Sequence, residues 1–181
     1  TYCEKLDSAR HCILFEAGFQ PESKPFDIED WFHYYSLNVA QTEIKIAALP
    51  GVFSQEKLDV GTSILLNNFH PELTGKMLDF GCGAGVIGAF YGMRHPVLDI
   101  TMADVSALAL VSAQKTMELN NLCATIMATD SLSEISGQYQ NVISNPPFIR
   151  TAPVASSAAM MKHKVAIAMV FPANAGTRLP G

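Results

Sequence analysis

The sequence predicts an open α/β fold, a mostly parallel sheet with helices on both faces. Three observations carry this prediction. From residue 49 onward, short apolar runs alternate with helix-length segments joined by short connections. A glycine-rich loop, Gly81 to Gly85, directly follows the first apolar run. The later runs end at Asp104, or just before Asp130 and Asn145. Parallel neighbours need a crossover between them, and strand–helix–strand order with short joints supplies one.

The first 45 residues are dense in aromatics and charge: Phe15, Phe19, Phe26, Trp31, Phe32, Tyr34 and Tyr35. Gln20 to Pro25 reads as a loop, and Asp27 to Tyr35 as a short helix with Asp27 near its N-cap. Residues 1–47 read as the tail of a preceding domain, and 48–181 as the main domain. Leu49 to Phe53 is a turn, and the spacing of Leu58, Ile64, Leu65 and Phe69 predicts a helix over 60–69. Met77 to Phe80 is a strand, Val86 to His95 a helix stopped by Pro96, and Val97 to Ala103 a strand ending at Asp104. Ser106 caps a helix through Asn120. Ala124 to Ala128 and Asn141 to Ser144 complete the strands, and Val154 to Lys164 and Val165 to Phe171 read as a further helix and strand.

Composition bounds the function. The chain has 181 residues, of which 49% are apolar and 16% charged, which excludes a disordered chain. The net charge of −5 excludes a protein that coats DNA constitutively. Cys3, Cys12, Cys82 and Cys123 form no CxxC pair, which points to reduced thiols and a cytoplasmic location. Cys3, His11, Cys12 and His33 have no zinc-site spacing, so no metal is expected. No apolar stretch approaches the roughly 20 residues that a membrane helix requires. Arg150, Lys162, His163 and Lys164 form a mildly basic cluster that reads first as a solvated face and second as an RNA-phosphate contact.

The loop Asp79-Phe-Gly-Cys-Gly-Ala-Gly85 is the strongest ligand signal. Alternating glycines let the backbone turn sharply and approach a ligand, and the helix that follows presents free N–H groups and its positive dipole end. Two ligands compete. Gly83 to Gly88 is a formal GxGxxG, the dinucleotide fingerprint. Asp79 speaks against a pyrophosphate and for a cationic ligand such as S-adenosylmethionine, with Asp104 at the next strand end ready for ribose hydroxyls. Cys82 reads as a small residue packed under the turn and not as a nucleophile.

Asn145-Pro-Pro-Phe148 follows the fourth strand. Proline fixes φ and removes donors, so the segment presents carbonyl acceptors in a rigid array. Such an array suits a planar amine, and Phe148 offers a face for a nucleobase.

These motifs resemble the class I S-adenosylmethionine-dependent methyltransferases that act on exocyclic nitrogen, a Rossmann-like fold. Ala48 to Ser54 and Leu58-Asp-Val-Gly-Thr62 narrow the resemblance to the bacterial small-subunit rRNA guanine-N2 methyltransferases of the C type and their large-subunit relatives. Asp7-Ser-Ala-Arg10 is similar to the end of that family's N-terminal domain. The resemblance implies that Gly81, Gly83 and Gly85, with Cys82 between them, cradle the methionine part of the donor. It implies that Asp79 steers the donor ammonium, Asp104 takes the ribose hydroxyls, Asp130 sits by the adenine amino group and Phe53 covers the site. Asn145 and Pro146, in the rigid frame that Pro147 completes, would bind the target amine, and Phe148 would stack on the guanine. The implied partner is ribosomal RNA or the small subunit, acted on by a monomer. Thr1 in first position and the weak match of residues 149–181 lead us to expect a fragment, incomplete at its C-terminus. The alternatives are methylation of adenine N6 or of a protein glutamine, a non-catalytic donor-binding fragment, and a nicotinamide-dependent dehydrogenase.

Overall fold

A computed structural model describes residues 2–9, 12–18, 25–69, 72–136 and 138–145. The expected helix over 154–164 and strand over 165–171 lie outside these residues. The chain divides into two compact units, Thr1–Asp30 and Trp31–Gly181.

In the first unit, β1 (Tyr2–Ala9) and β2 (Cys12–Gly18) form an antiparallel pair, with Tyr2 opposite Gly18 and Ala9 opposite Cys12. A bulge between Lys5 and Asp7 shifts the register.

The second unit begins with an antiparallel pair, β3 (His33–Val39) and β4 (Thr42–Ala48). The helix expected over 27–35 is therefore corrected to a 3-10 turn, Ile28–Trp31, followed by a strand. Tyr34, Tyr35 and Val39 belong to types that favour extended backbone, and pairing with β4 outweighs the helix signal at Asp27. Next come α1 (Val60–Asn68), β5 (Lys76–Phe80), α2 (Val86–Arg94), β6 (Asp99–Asp104), α3 (Ala107–Leu119), β7 (Thr125–Ala128) and β8 (Asn141–Ile143). These lie within a few residues of the expected elements. Asp59 caps α1 by accepting from Thr62 N at 3.1 Å, and Ser106 caps α3 by accepting from Ala109 N at 3.4 Å.

β5 to β8 form one parallel sheet in the order β7-β6-β5-β8. Alternation along the strands makes two faces. Met77, Asp79, Ile100 and Met102 face α2 and α3: a methyl group on Gly88 would meet Met102, and one on Gly92 would meet Ile100. Leu78, Ala103, Phe80, Met127 and Val142 pack on the other face against Ile135, Tyr139 and Leu132. Tyr139 also donates its hydroxyl to Thr101 at 3.2 Å.

One edge of β4 is satisfied by a helix instead of a strand. Lys45, Ala47 and Leu49 donate their N–H groups to Asn120, Thr116 and Ser112. Two strand residues advance about 6.6 Å and four helical residues about 6 Å, so a polar stripe at every fourth position of a helix stays in step with alternate strand residues. The hydrogen-bonded edge leads the chain into the loop at 50–55, which reaches the site described next.

Candidate active site

The strand order reverses between β5 and β8: β6 and β7 build outward from one side of β5, and β8 lies on the other. Such a switch point opens a crevice beyond the carboxyl ends of the strands. A cleft of about 370 Å³ lies there. Its wall takes Phe80 from the end of β5 and Gly81 just after it, Gly83 from the glycine loop, Asp104 from β6, Thr129 and Asp130 after β7, and Asn145 after β8. Phe53 and its neighbours Gly51 and Val52 line it from the upstream loop.

The glycine loop is tied to the end of β6. Gly81 and Cys82 donate their N–H groups to the Ala103 carbonyl at 2.8 and 3.0 Å, and Gly83 donates to Asp104 Oδ2 at 2.9 Å. Gly81 and Gly83 have φ of +74° and +53°, a region that L side chains rarely occupy. Asp104 Oδ1 accepts from Ser106 N at 2.9 Å, so both carboxylate oxygens are anchored by backbone while the group lines the cleft. Phe53 packs over Gly83, where an added methyl would stand 3.7 Å from the Phe53 carbonyl oxygen. Phe53 as a whole remains 56% exposed. Tyr35 donates its hydroxyl to the carbonyl of Ser54 and so pins this loop; burial pushes the Tyr35 hydroxyl up to about 12.

Asn145 enters the cleft with its amide already oriented. Its Nδ2 donates to Asp59 Oδ2 at 3.0 Å and to Thr62 Oγ1 at 2.8 Å, leaving Oδ1 as the acceptor end. In the sequence Asp59 and Thr62 stand out only as part of the segment Leu58-Asp-Val-Gly-Thr62. Their partner is 86 and 83 residues away, so no local pattern announces the contact. Val105 and Ser106 also line the cleft unannounced, although their place just after a strand-ending aspartate is a usable signal.

Three expected donor residues do not line the cleft. Asp79 is fully buried beneath α2, where its Oδ2 accepts from Gly88 N at 3.0 Å. It serves the N-terminus of that helix, whose N-cap Gly85 has no side chain to do so. Its Oδ1 has no hydrogen-bond partner among the described residues. Burial, and to a lesser degree the nearby Asp104, pushes its carboxyl up to about 7, against the opposing Gly88 N–H. Gly85 faces the interior: a methyl there would lie 3.0 Å from the Ala113 Cα. Cys82 is buried, and burial together with Asp79 and Asp104 pushes its thiol up, which leaves it an inert packing residue. Pro146, Pro147, Phe148 and the basic cluster from Arg150 to Lys164 lie outside the described residues.

The charge of the cleft discriminates between the two competing ligands. Asp104 and Asp130 line it, and no Lys, Arg or His does so among the described residues. A pyrophosphate placed there would meet like charge, whereas a cationic donor bearing ribose hydroxyls meets acceptors. The chemistry of this lining therefore fits S-adenosylmethionine.

A family model described as Methyltransferase small domain matches residues 43–171. The chain belongs to the methyltransferase small-domain family. A companion model, Methyltransferase small domain N-terminal, matches residues 1–35. Among curated relatives, Ribosomal RNA small subunit methyltransferase C of Colwellia psychrerythraea is 53% identical over 148 residues, covering 81% of this chain and 42% of that protein. The Photobacterium profundum protein of the same name is 48% identical over 144 residues, covering 80% of this chain and 42% of that protein. The chain thus spans about two fifths of the length of these relatives. Among solved structures, the T. thermophilus 16S rRNA N2 G1207 methyltransferase (RsmC), in complex with AdoMet and guanosine, aligns with a TM-score of 0.62. The match has 21% identity and covers 83% of this chain and 42% of that one. A Pyrococcus abyssi tRNA (uracil-54, C5)-methyltransferase aligns at 0.50 with 22% identity, covering 63% and 28%. At these identities the structures speak for the fold alone. Family and fold bear out the expected class I methyltransferase domain and, with it, S-adenosylmethionine as its donor class. No helix among the described residues is long and apolar enough to cross a membrane.

Proposed function

We propose that this chain is the catalytic part of an enzyme that methylates the exocyclic N2 amine of a guanine in 16S ribosomal RNA. The observation that carries the reading is the shared cleft: Asn145, its amide oriented, opens on the same wall as Gly81, Gly83 and Asp104. The names of the full-length relatives supply the substrate class.

In this reading the backbone of Gly81 and Gly83 and the Asp104 carboxylate hold the donor, Asp130 faces its base, and Phe53 covers it. Bound S-adenosylmethionine supplies an electrophilic methyl group. Asn145 Oδ1 accepts one N–H of the guanine amine, and the carbonyl of Pro146 accepts the other. Guanine N2 is a poor nucleophile because its lone pair is delocalised into the ring. Two accepted hydrogen bonds return electron density to nitrogen and aim its lone pair into the cleft. No strong general base is required: the N–C bond would form as the donor's sulfur–methyl bond breaks, the neutral thioether would leave, and the amine proton, made acidic in the process, would pass to water. The base must leave its stack, and Phe148 compensates part of that cost.

Labelled donor offered with 16S rRNA, assembled small subunits, DNA and a glutamine-bearing peptide tests the assignment in the whole protein. Label mapped by mass spectrometry to guanine N2 is the expected result. Label on adenine or glutamine, or on none of them, overturns it.

A further inference from the structure

We infer that Asp59 and Thr62 are positioning residues that lock the Asn145 amide in the one flip able to accept from a target amine. The inference rests on the proposed role of Asn145 and deepens it.

A side-chain amide has two ends of nearly equal size, and only its oxygen accepts hydrogen bonds. A rotation of 180° would turn the NH₂ group toward the substrate and present donor to donor. Asp59 opposes that flip. Its Oδ2, which already accepts Thr62 N at 3.1 Å, lies 3.0 Å from Asn145 Nδ2. A carboxylate accepts and has no proton to give, so Oδ1 in that place would face like charge. Thr62, buried in the first turn of α1, takes the second amide proton at 2.8 Å. Both Nδ2 protons are thereby committed. Gly61 completes the seat: a methyl on it would stand 3.0 Å from Asn145 Oδ1 and 3.2 Å from Nδ2, close enough to push the amide back from the helix. Three of the four residues from Asp59 to Thr62 thus shape one side chain on a distant strand end. The same Asp59 oxygen caps the helix that carries Thr62, so the seat and α1 form together.

The test uses Asp59→Ser, which keeps a side-chain N-cap but cannot reach the amide, and Thr62→Val, which keeps the shape and loses the acceptor. Thr62→Ser restores the acceptor. Donor binding is followed by calorimetry, methyl transfer by kcat and KM, and the amide by its side-chain ¹⁵N resonances, assigned by their loss in Asn145→Ala. In Asp59→Ser and Thr62→Val, kcat is expected to fall about tenfold to a hundredfold. Donor affinity should stay within about twofold, the Asn145 NH₂ signals should shift and exchange faster, and Thr62→Ser, unlike Thr62→Val, should keep both kcat and the NH₂ signals near those of the wild type. Unchanged NH₂ signals, or unchanged kcat where Asn145→Ala has lost it, would overturn the inference. If the wild-type protein transfers no methyl group to guanine, the functional reading fails, and the NH₂ signals alone decide the seat.

Discussion

Thr116 Oγ1 accepts the N–H of Ala47 at 3.1 Å and donates back to the Ala47 carbonyl at 3.3 Å, so one buried hydroxyl answers both polar groups of a strand residue. Both residues are fully buried. Thr116→Val keeps the volume and leaves two buried backbone groups unpaired. The expected loss is about 2–4 kcal/mol, one desolvated group at a time. Urea denaturation measures it, and the Ala47 amide should lose its protection from hydrogen exchange. Because this edge carries the chain to Phe53, donor affinity should fall as well. Full protection at Ala47 in the variant would refute the stitched edge.

Asp104 is the second point at which backbone depends on a side chain. Each of its oxygens accepts one N–H, from Gly83 and from Ser106. Asp104→Asn can satisfy only one of them, because the amide turns an NH₂ toward the other. About 1–3 kcal/mol of stability should be lost, and the glycine loop should loosen. Calorimetric titration with S-adenosylmethionine should show at least tenfold weaker binding. An affinity equal to that of the wild type would separate Asp104 from the donor site.

The core of the fold is readable in the sequence, and its first third is not, for identifiable reasons. β5, the glycine loop and α2 are spelled out by an apolar run, alternating glycines and Pro96. The β3–β4 hairpin turns on Ala40 and Gln41, both at positive φ (46° and 63°). That turn is usually written Asn-Gly or Asp-Gly, so the strongest hairpin signal is missing. β3 does alternate, with Tyr35, Leu37 and Val39 turned inward between exposed Ser36 and Asn38, but this short period-2 signal competes with the helix-start signal at Asp27. At the site, Gly81, Gly83, Asp104, Asp130, Phe53 and Asn145 were all named from sequence and line one cleft. Asp79 lies beneath α2 and not in the cleft, and a strand-end carboxylate reads the same in sequence for either placement. The period-2 alternation decides: Asp79 shares its face with Met77, under α2.

Two of the interior glycines, Gly85 and Gly88, should respond differently to alanine. At Gly85 the backbone stands at φ +83°, and the new methyl would meet the Ala113 Cα at 3.0 Å. Neither the strain nor the backbone contact can be relieved locally, so a loss of about 2–4 kcal/mol is expected. At Gly88 the methyl would meet Met102 Cε at 2.7 Å, the mobile end of a flexible side chain. A smaller loss, about 1 kcal/mol, should follow as Met102 moves aside. Thermal melts of the two variants check the order, and a Gly88→Ala variant less stable than Gly85→Ala would contradict it.

Asp79 makes stability depend on pH with a definite sign. Its carboxyl sits at about 7 in the folded protein against 3.8 as a free side chain, chiefly because burial disfavours the charge. Between about pH 4 and pH 7 the folded state therefore holds a proton that the unfolded chain has released. Stability then decreases as pH rises, because the unfolded state binds fewer protons. The contribution is fully present below about pH 4 and lost as pH climbs through about 7. Asp79→Asn keeps an acceptor for Gly88 N–H and carries no charge to bury. It should flatten this slope, leaving the variant more stable than the wild type by a few kcal/mol at pH 8 and nearly equal at pH 4. Denaturant midpoints measured at both pH values test the sign. A wild type that gains stability from pH 4 to 7, with Asp79→Asn losing that gain, would show that the carboxylate is ionised and partnered in the fold.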